Sequence, residues 1–371
     1  MKQYGGQLLA APFITLWQFI TLWPLLLYGQ VVLGQEATAD YLDVSIRIFA
    51  SVEPLPAPAA ETTEPAAVPV QAARSTAEVR SAESRYLPMF LRYRLEASAL
   101  FGAVRVLPES DNSAQLMIEG TILRSDGREL ALEITARDST GRLWLDQVYE
   151  GAAAPSVSVS DDVLAEDDFS WLFADIVRDL AAAQAALTPR QREDIRTVAL
   201  LRYGKGLVPA SFAGYLEESP EGMARILRLP AVNDPLLQRI AQIRDHEYLF
   251  VDVVDQEYQR FFGDIKPVYD MWRRFQREQT ASAADFATRE TTAESTYARG
   301  SFYALQESYN NYRWAKVQEL YLDELSEGFA NEVEPTEIAL EDSLYKLTGT
   351  LEQQYREWRG ILAELYELEG L

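Results

Sequence analysis

Residues 114–151 read AQLMIEGTILRSDGRELALEITARDSTGRLWLDQVYEG. Three runs rich in apolar residues have the length of strands, which are residues 116–123, 130–136 and 143–149. Each gap holds a turn sequence, Ser125-Asp126-Gly127-Arg128 in the first and Asp138-Ser139-Thr140-Gly141 in the second. A period of two places alternate side chains on one face of a strand, and Asp-Gly tolerates the positive φ angles of a tight hairpin turn. The stretch therefore predicts a three-stranded antiparallel meander.

The residues before the meander predict the rest of a small α/β sandwich. Residues 41–50 alternate as a strand, 74–100 read as a helix that contains Pro88, and 104–107 form a short strand. Between the first strand and the helix, residues 53–73 hold five Pro and seven Ala, a composition that predicts a flexible insertion. The predicted order is β-α-β-β-β-β, with the helix on one face of the sheet.

Three segments in this region carry a resemblance: LFGAVRVLPE at 100–109, AQLMIEGTIL at 114–123 and LALEITARDSTGRLWLDQVYEG at 130–151. They resemble the periplasmic α/β module of the curli secretion lipoprotein. The amino-terminal domain of Tol translocation protein B and the lipoprotein activators of penicillin-binding proteins resemble that module too. The resemblance covers residues 40–152 and implies a scaffolding or assembly role in the bacterial envelope. The whole chain is also similar to exported proteins of Gram-negative bacteria.

The amino-terminal residues 1–34 predict export. Lys2 is the only charged residue before Glu36, and residues 8–33 are almost wholly apolar. A small residue, Gly34, precedes Gln35, which suits cleavage of a signal peptide; an uncleaved inner-membrane anchor is the alternative, because the run is long enough to span a bilayer. The chain has no cysteine, so the lipid anchor of the lipoprotein relatives is absent. We therefore expect a periplasmic protein whose membrane association, if it has one, uses the amino-terminal segment.

The charge of the chain excludes one class of partner. There are 34 Lys and Arg against 57 Asp and Glu, which gives a net charge of −23, and no run is rich in Lys or Arg. Nucleic-acid binders and proteins that bind anionic lipid need a basic surface. We expect no nucleic-acid partner, and the sequence indicates no cofactor.

Residues 153–167 predict a linker, and residues 168–371 a mostly helical domain. Thr188, Ser219 and Asp234 each precede a proline, a pattern typical of helix starts. The predicted helices are 169–186, 189–203, 209–217, 220–228, 235–245, 247–278 with a kink at Pro267, and 282–330. A hairpin at 337–347 and a last helix at 351–368 follow, so the fold class is α+β with two domains.

Catalytic signatures are weak. His246 is the only histidine, so a site with several His ligands is excluded, and its position at a predicted helix junction indicates a surface residue. Ser343 and Lys346 have the S-x-x-K spacing of penicillin-recognising enzymes, but they fall in a predicted hairpin turn rather than on a buried helix. The acidic run 161–168 lacks the spacing and the central Gly of an EF-hand loop, so no metal site is predicted.

The aromatic residues of the carboxy-terminal half are the candidate partner-binding residues. Tyr and Trp are favoured at interfaces because one end of the side chain is apolar and the other can stay wet. The candidates are Tyr269, Trp272, Tyr309, Tyr312 and Trp314. Packing between long helices is the alternative for each of them.

These patterns favour a non-enzymatic interaction or assembly factor of the envelope, whose partners are envelope proteins. The alternative is an envelope hydrolase that uses carboxylates. Glu332, Glu334 and Glu337 are the loosely clustered candidates for that chemistry.

Overall fold

The computed structural model describes residues 41–52, 70–153, 167–231, 233–291, 335–340 and 343–368, together with a few single positions between 313 and 324. It gives the backbone but not the side chains of residues 70–78 and 275–291. The predicted signal segment 1–34, most of the predicted insertion, most of the linker and most of the predicted helix 282–330 lie outside the described residues.

The protein is α+β: a mixed sheet in the amino-terminal part precedes a mostly helical region that contains two short strand pairs. The strands are β1 Val44–Arg47, β2 Ala50–Ser51, β3 Val104–Leu107, β4 Leu116–Ser125, β5 Glu129–Asp138, β6 Leu143–Ala152, β7 Leu216–Glu218, β8 Ala224–Ile226, β9 Thr336–Leu340 and β10 Ser343–Leu347. The helices are α1 Val70–Ser98, α2 Ser170–Ala185, α3 Pro189–Leu207, α4 Pro209–Phe212, α5 Pro235–Thr291 and α6 Leu351–Leu368. The predicted β-α-β-β-β-β order is confirmed, except that a second short strand, β2, lies between β1 and α1. The predicted insertion ends earlier than expected, because residues 70–73 already belong to α1.

The main sheet is mixed, with the strand order β3-β1-β4-β5-β6 and with β2 paired to β4. β1 runs parallel to both of its neighbours, and β4, β5 and β6 form the predicted antiparallel meander. One face of the meander is buried, as on β5, where Leu130, Leu132 and Ile134 have no exposed surface. The two outer edges of the sheet are β3 and β6.

Pro88 lies inside α1 without ending it. Proline has no N–H and therefore leaves the carbonyl of the residue four positions earlier without its helical partner. In α1 that carbonyl belongs to Ser84, and it accepts a hydrogen bond of 2.8 Å from the backbone N–H of Phe49. The carbonyl group that Pro88 leaves without a helical partner thus forms a hydrogen bond with the residue just before β2.

The helix α5 is longer than the sequence predicts. Residues 235–245 and 247–278 were expected as two helices, but the backbone stays helical from Pro235 to Thr291 and passes through Pro267. His246 therefore lies within a helix and not at a junction. The helix packs on α1, on β3, on α3 and on α6. It therefore contacts both the amino-terminal sheet region and the other carboxy-terminal helices.

Residues 213–228 contain the clearest error of the sequence interpretation. Helices were predicted at 209–217 and 220–228, but only the four residues of α4 are helical and a small antiparallel hairpin, β7–β8, follows. The backbone N–H of Gly222 donates to the carbonyl of Ser219 at 2.9 Å, which closes a β-turn. Ser219-Pro220 thus begins a turn rather than a helix.

The carboxy-terminal elements match the prediction. β9 and β10 pair as an antiparallel hairpin, and α6 spans Leu351–Leu368. Trp358 of α6 is fully buried and contacts the rings of Phe250 and Tyr345. Within the described ranges, no helix combines the length and the apolar character needed to cross a membrane.

One hydrophobic core includes residues from both sides of the predicted linker. Tyr86 of α1 stacks on Phe262 of α5 with ring centroids 4.7 Å apart, and Phe90 of α1 meets Phe173 of α2 edge-on at 4.8 Å. The side chains of the sheet and of the carboxy-terminal helices belong to the same buried cluster. The helices therefore complete the core of the α/β module in this structure.

Candidate functional site

The turn between β5 and β6 is built around the carboxylate of Asp138. One oxygen accepts hydrogen bonds from the backbone N–H groups of Thr140 at 2.9 Å and Arg142 at 3.2 Å, and also from the Thr140 hydroxyl. The other oxygen accepts from the indole N–H of Trp144 at 2.9 Å. The DSTGRLW motif is therefore a structural turn, in which Asp138 satisfies the backbone that the reversal leaves unpaired.

This turn holds the β7–β8 hairpin against the sheet. The backbone N–H of Ala224 donates to the carbonyl of Thr140 at 2.8 Å. Gly141 has a φ of +85° and lies against the backbone of Gly222, where no side chain fits. On the opposite side, the Ser139 hydroxyl donates to the carbonyl of Ile195 in α3. The turn thus joins the sheet, α3 and the hairpin.

A groove of about 620 Å³ lies between this turn, the start of α3 and the hairpin. Its floor includes the buried side chain of Val198 and the half-buried side chain of Ile226. Three large apolar side chains stand at its rim with high exposure: Met223 at 47%, Leu227 at 52% and Leu229 at 67%. We call this surface the arginine groove because of the charged residues that line it.

Three arginines and one carboxylate line the arginine groove, namely Arg142, Arg190, Arg225 and Asp194. Arg225 pairs with Glu217 of the same hairpin. Neither Arg142 nor Arg190 makes an ion pair with a residue that the structure describes. Arg190 occupies the first turn of α3, where the helix dipole favours acidic residues over basic ones. The groove is therefore a basic and partly apolar surface on a chain with a net charge of −23.

A second, smaller pocket of about 200 Å³ lies on the other side of the hairpin. Two of its charged groups are engaged inside the protein: Arg202 donates to the carbonyl of Gly222 at 2.7 Å, and Glu119 accepts from the Ser110 hydroxyl. Asp138 also lines it, with both carboxylate oxygens occupied as described above. These side chains stabilise the loops around the pocket, so their hydrogen bonds explain why they are there.

Of the candidate aromatic residues, Tyr269 and Trp272 line neither of these two pockets. Tyr269 is fully buried, and Trp272 is 6% exposed with its ring stacked on Tyr269 at 5.8 Å. The Tyr269 hydroxyl donates to the buried carboxylate of Glu83. Both side chains therefore pack inside the protein, which was the alternative for each. Tyr309, Tyr312 and Trp314 lie outside the described residues.

The candidate catalytic residues are not brought together where the structure describes them. Glu337 is exposed on β9 and lies 3.4 Å from Lys346 of β10, so the pair spans the hairpin. Ser343 opens β10, as expected from its predicted hairpin position. Glu332 and Glu334 lie outside the described residues. The described part of the chain contains no cluster of His, Cys, Asp and Glu that would hold a metal ion.

Glu247 is a buried carboxylate whose pKa is raised. It lies in α5, it is buried, and it accepts a hydrogen bond of 2.7 Å from the Tyr355 hydroxyl of α6. Burial removes water from the carboxylate and raises its pKa, while the nearby guanidinium of Arg359 opposes the shift. It lines neither of the two pockets beside the hairpin. Its contacts join α5 to α6 and give it a structural role.

Sequence reasoning missed the arginine groove because it placed helices over the hairpin. A local signal was present in Ser219-Pro220-Glu221-Gly222, since Pro at the second position and Gly at the fourth are typical of a type I turn. The short runs on either side, residues 216–218 and 224–226, are of strand length.

Comparison with known proteins found no family model, no curated protein and no solved structure that matches the chain. The resemblance of residues 40–152 to periplasmic lipoprotein modules stays a prediction.

Proposed function

We propose that the protein is a non-enzymatic interaction or assembly factor of the bacterial envelope and that the arginine groove binds a partner protein there. One observation carries the proposal: exposed Met223, Leu227 and Leu229 surround a groove in which Arg142 and Arg190 have no described carboxylate partner. Exposed apolar side chains next to unpaired arginines are typical of protein interfaces.

The chemistry of the groove selects its partner. Arginine forms bidentate hydrogen bonds with carboxylates, and the apolar rim gains free energy when it is covered. The partner segment that fits is acidic and carries apolar side chains between its carboxylates. The partner is an envelope protein, because the apolar amino-terminal residues 1–34 favour export to the periplasm.

A charge reversal in cells tests the groove. A photoactivatable cross-linking residue at Leu229 is expected to give a discrete adduct with an envelope protein. The double variant Arg142→Glu, Arg190→Glu should abolish that adduct, because it replaces attraction by repulsion. The control double variant Arg128→Glu, Arg260→Glu changes the charge equally at exposed sites outside the groove and should keep the adduct. An adduct that persists in the groove variant would contradict the proposal.

The compartment is tested separately. Mass spectrometry of protein purified from envelopes is expected to give a mature start close to Gln35. An intact Met1 in a carbonate-resistant membrane fraction would instead indicate an uncleaved anchor, and protein recovered only from the cytoplasm would contradict an envelope role.

A further inference from the structure

The two outer edges of the main sheet differ in how their backbone groups are satisfied. On β3, the carbonyl of Val104 accepts from Arg92 Nε at 3.0 Å, and the N–H of Val106 donates to Asp255 Oδ1 at 3.3 Å. Arg92 and Asp255 are themselves paired at 2.8 Å. An ion pair between α1 and α5 thus takes the place of a neighbouring strand, which is one way in which proteins protect a sheet edge.

The β6 edge has no comparable protection in the part of the chain that the structure describes. β6 is 10 residues long, and within the described ranges its backbone groups bond only to β5. Three consecutive residues at its centre, Asp146, Gln147 and Val148, are all exposed. Because successive side chains of a strand point to opposite faces, Asp146 and Val148 lie on an open face of β6. The face of Gln147 also carries the buried Leu145 and Tyr149, and the Tyr149 hydroxyl donates to Asp179 of α2.

The open edge is acidic. Asp146 and Glu150 lie on one face of β6, and Glu133 of β5 is paired in register with Val148, which stands between them. None of these three carboxylates makes an ion pair with a described residue. Val148 is 46% exposed. Along this face of β6, an exposed apolar side chain therefore stands between the carboxylates of Asp146 and Glu150.

We propose that β6 is a docking edge for an extended, basic segment of a partner protein, which adds to the sheet as a further strand. The unpaired backbone groups of β6 supply the hydrogen bonds, and side chains at alternate positions of the segment meet Asp146, Val148 and Glu150. Opposite charges across neighbouring strands stabilise the pair, and like charges destabilise it.

Charge also argues against the nearest segment of the chain itself. Residues 154–166 follow β6 directly and contain Asp161, Asp162 and Glu166 but no Lys or Arg. Residues 161–166 of that segment would place carboxylates beside carboxylates, and residues 154–160 carry no charge, so no part of the segment supplies a cation to Asp146 or Glu150. The docking edge is independent of the arginine groove, since it rests on a different surface and selects a partner of opposite charge.

The test uses peptide probes and the full chain. The first probe is an eight-residue peptide that alternates Lys and Val. The second has the same charge but carries a central Pro, which cannot donate to a strand ladder. The third alternates Glu and Val. Affinity is measured by fluorescence anisotropy, and the site is located by hydrogen exchange with mass spectrometry.

The Lys/Val peptide is expected to bind and to slow exchange in residues 143–152 but not in 104–107, whose edge Arg92 and Asp255 already occupy. The Pro peptide and the Glu/Val peptide should bind at least ten-fold more weakly. The variant Asp146→Lys, Glu150→Lys should weaken the Lys/Val peptide by at least ten-fold. Its matched control is Glu193→Lys, Glu364→Lys, which reverses two other exposed carboxylates and should leave the affinity unchanged.

Three outcomes would overturn the proposal. Equal binding of the Pro peptide would mean that charge alone attracts the probe. Equal loss in the matched control would place the binding elsewhere. Exchange of 143–152 in the free protein as slow as that of β5, which is bonded on both sides, would mean that the edge is already covered by another part of the chain.

Discussion

Asp167 and Arg273 form an ion pair of 2.8 Å in which neither side chain is more than 2% exposed. Asp167 precedes α2 and Arg273 belongs to α5. Arg273 also donates to the Tyr269 hydroxyl at 3.0 Å, and that hydroxyl in turn donates to Glu83 of α1. The Ser125 hydroxyl at the end of β4 bonds to the same carboxylate. A single buried network therefore ties the sheet and α1 to α2 and α5.

Removing one charge from this network should be costly. Arg273→Met would leave Asp167 as a buried carboxylate without its cation, and breaking a buried pair costs about 3–5 kcal/mol. We expect the free energy of unfolding, measured by urea denaturation, to fall by that amount. The control is Arg178→Met, which removes a surface cation paired to Asp175 and should leave the free energy of unfolding almost unchanged, because water screens an exposed pair. If the two substitutions lowered the free energy of unfolding equally, burial of the Asp167–Arg273 pair would not be the cause of the loss.

The Asp255 carboxylate gives the protein a pH dependence of a stated sign. Burial desolvates the carboxylate and raises its pKa to about 6, although Arg92 opposes the shift. The folded state therefore binds this proton more tightly than the unfolded state, whose Asp pKa is about 3.9. This contribution to stability is present below pH 4 and is lost as the pH rises to 6.

Comparison with Asp255→Asn isolates that contribution. Between pH 4 and 6 the wild type should lose stability relative to the variant, by on the order of 2 kcal/mol. Urea denaturation at closely spaced pH values measures it. The difference should persist in 0.5 M salt, because buried groups are screened weakly. A difference that is flat from pH 4 to 6 would contradict the raised pKa.

Gly141 should tolerate no side chain. Its φ of +85° disfavours L residues, and an added Cβ would meet the backbone of Gly222. Gly141→Ala is expected to destabilise the protein by at least about 1 kcal/mol and to loosen the hairpin. Gly206→Ala is the matched control, since nothing lies near its Cβ position in α3, and it should be neutral or mildly stabilising. Faster hydrogen exchange of residues 216–226 in Gly141→Ala alone would locate the effect in the hairpin.

The meander could be predicted from the sequence because a period of two decides both the element and its buried face. Leu130, Leu132 and Ile134 leave no other consistent arrangement. The consequence of Pro88 could not be predicted in the same way. The carbonyl it frees is used by Phe49, and the sequence between them gives no sign of that contact.

The candidate sites also depend on contacts between residues that are distant in the sequence, and the sequence does not show these contacts. The spacing of Tyr269 and Trp272 shows that they share a helical face, but whether that face meets solvent or α1 depends on tertiary packing. The arginine groove depends on a turn, Asp138–Arg142, that brings residues 142, 190 and 225 together from three elements. Its arginines have no local pattern that would mark them as a group.

The shared core changes what is expected of the carboxy-terminal half on its own. From the sequence, residues 168–371 were expected to fold as a separate domain. In the structure, Tyr86 covers both Phe262 and Tyr269 with ring centroids 4.7 Å away, and Tyr93 covers Phe262 from 5.1 Å. A fragment that begins at residue 168 lacks both tyrosines as well as Asp167, so it exposes these aromatic rings and leaves Arg273 without its carboxylate.

We therefore expect the fragment 168–371 to aggregate, or to melt without a cooperative transition when followed by circular dichroism. Co-expression with residues 35–167 should restore a soluble complex, because the second fragment supplies α1, the sheet and Asp167. Full-length protein that carries Tyr86→Ala should melt cooperatively but at a lower temperature, since it loses one aromatic partner and keeps the rest of the core. A fragment 168–371 that is soluble and melts with the same midpoint as the full chain would show that the contacts with α1 contribute little, and the two halves would then be independent domains.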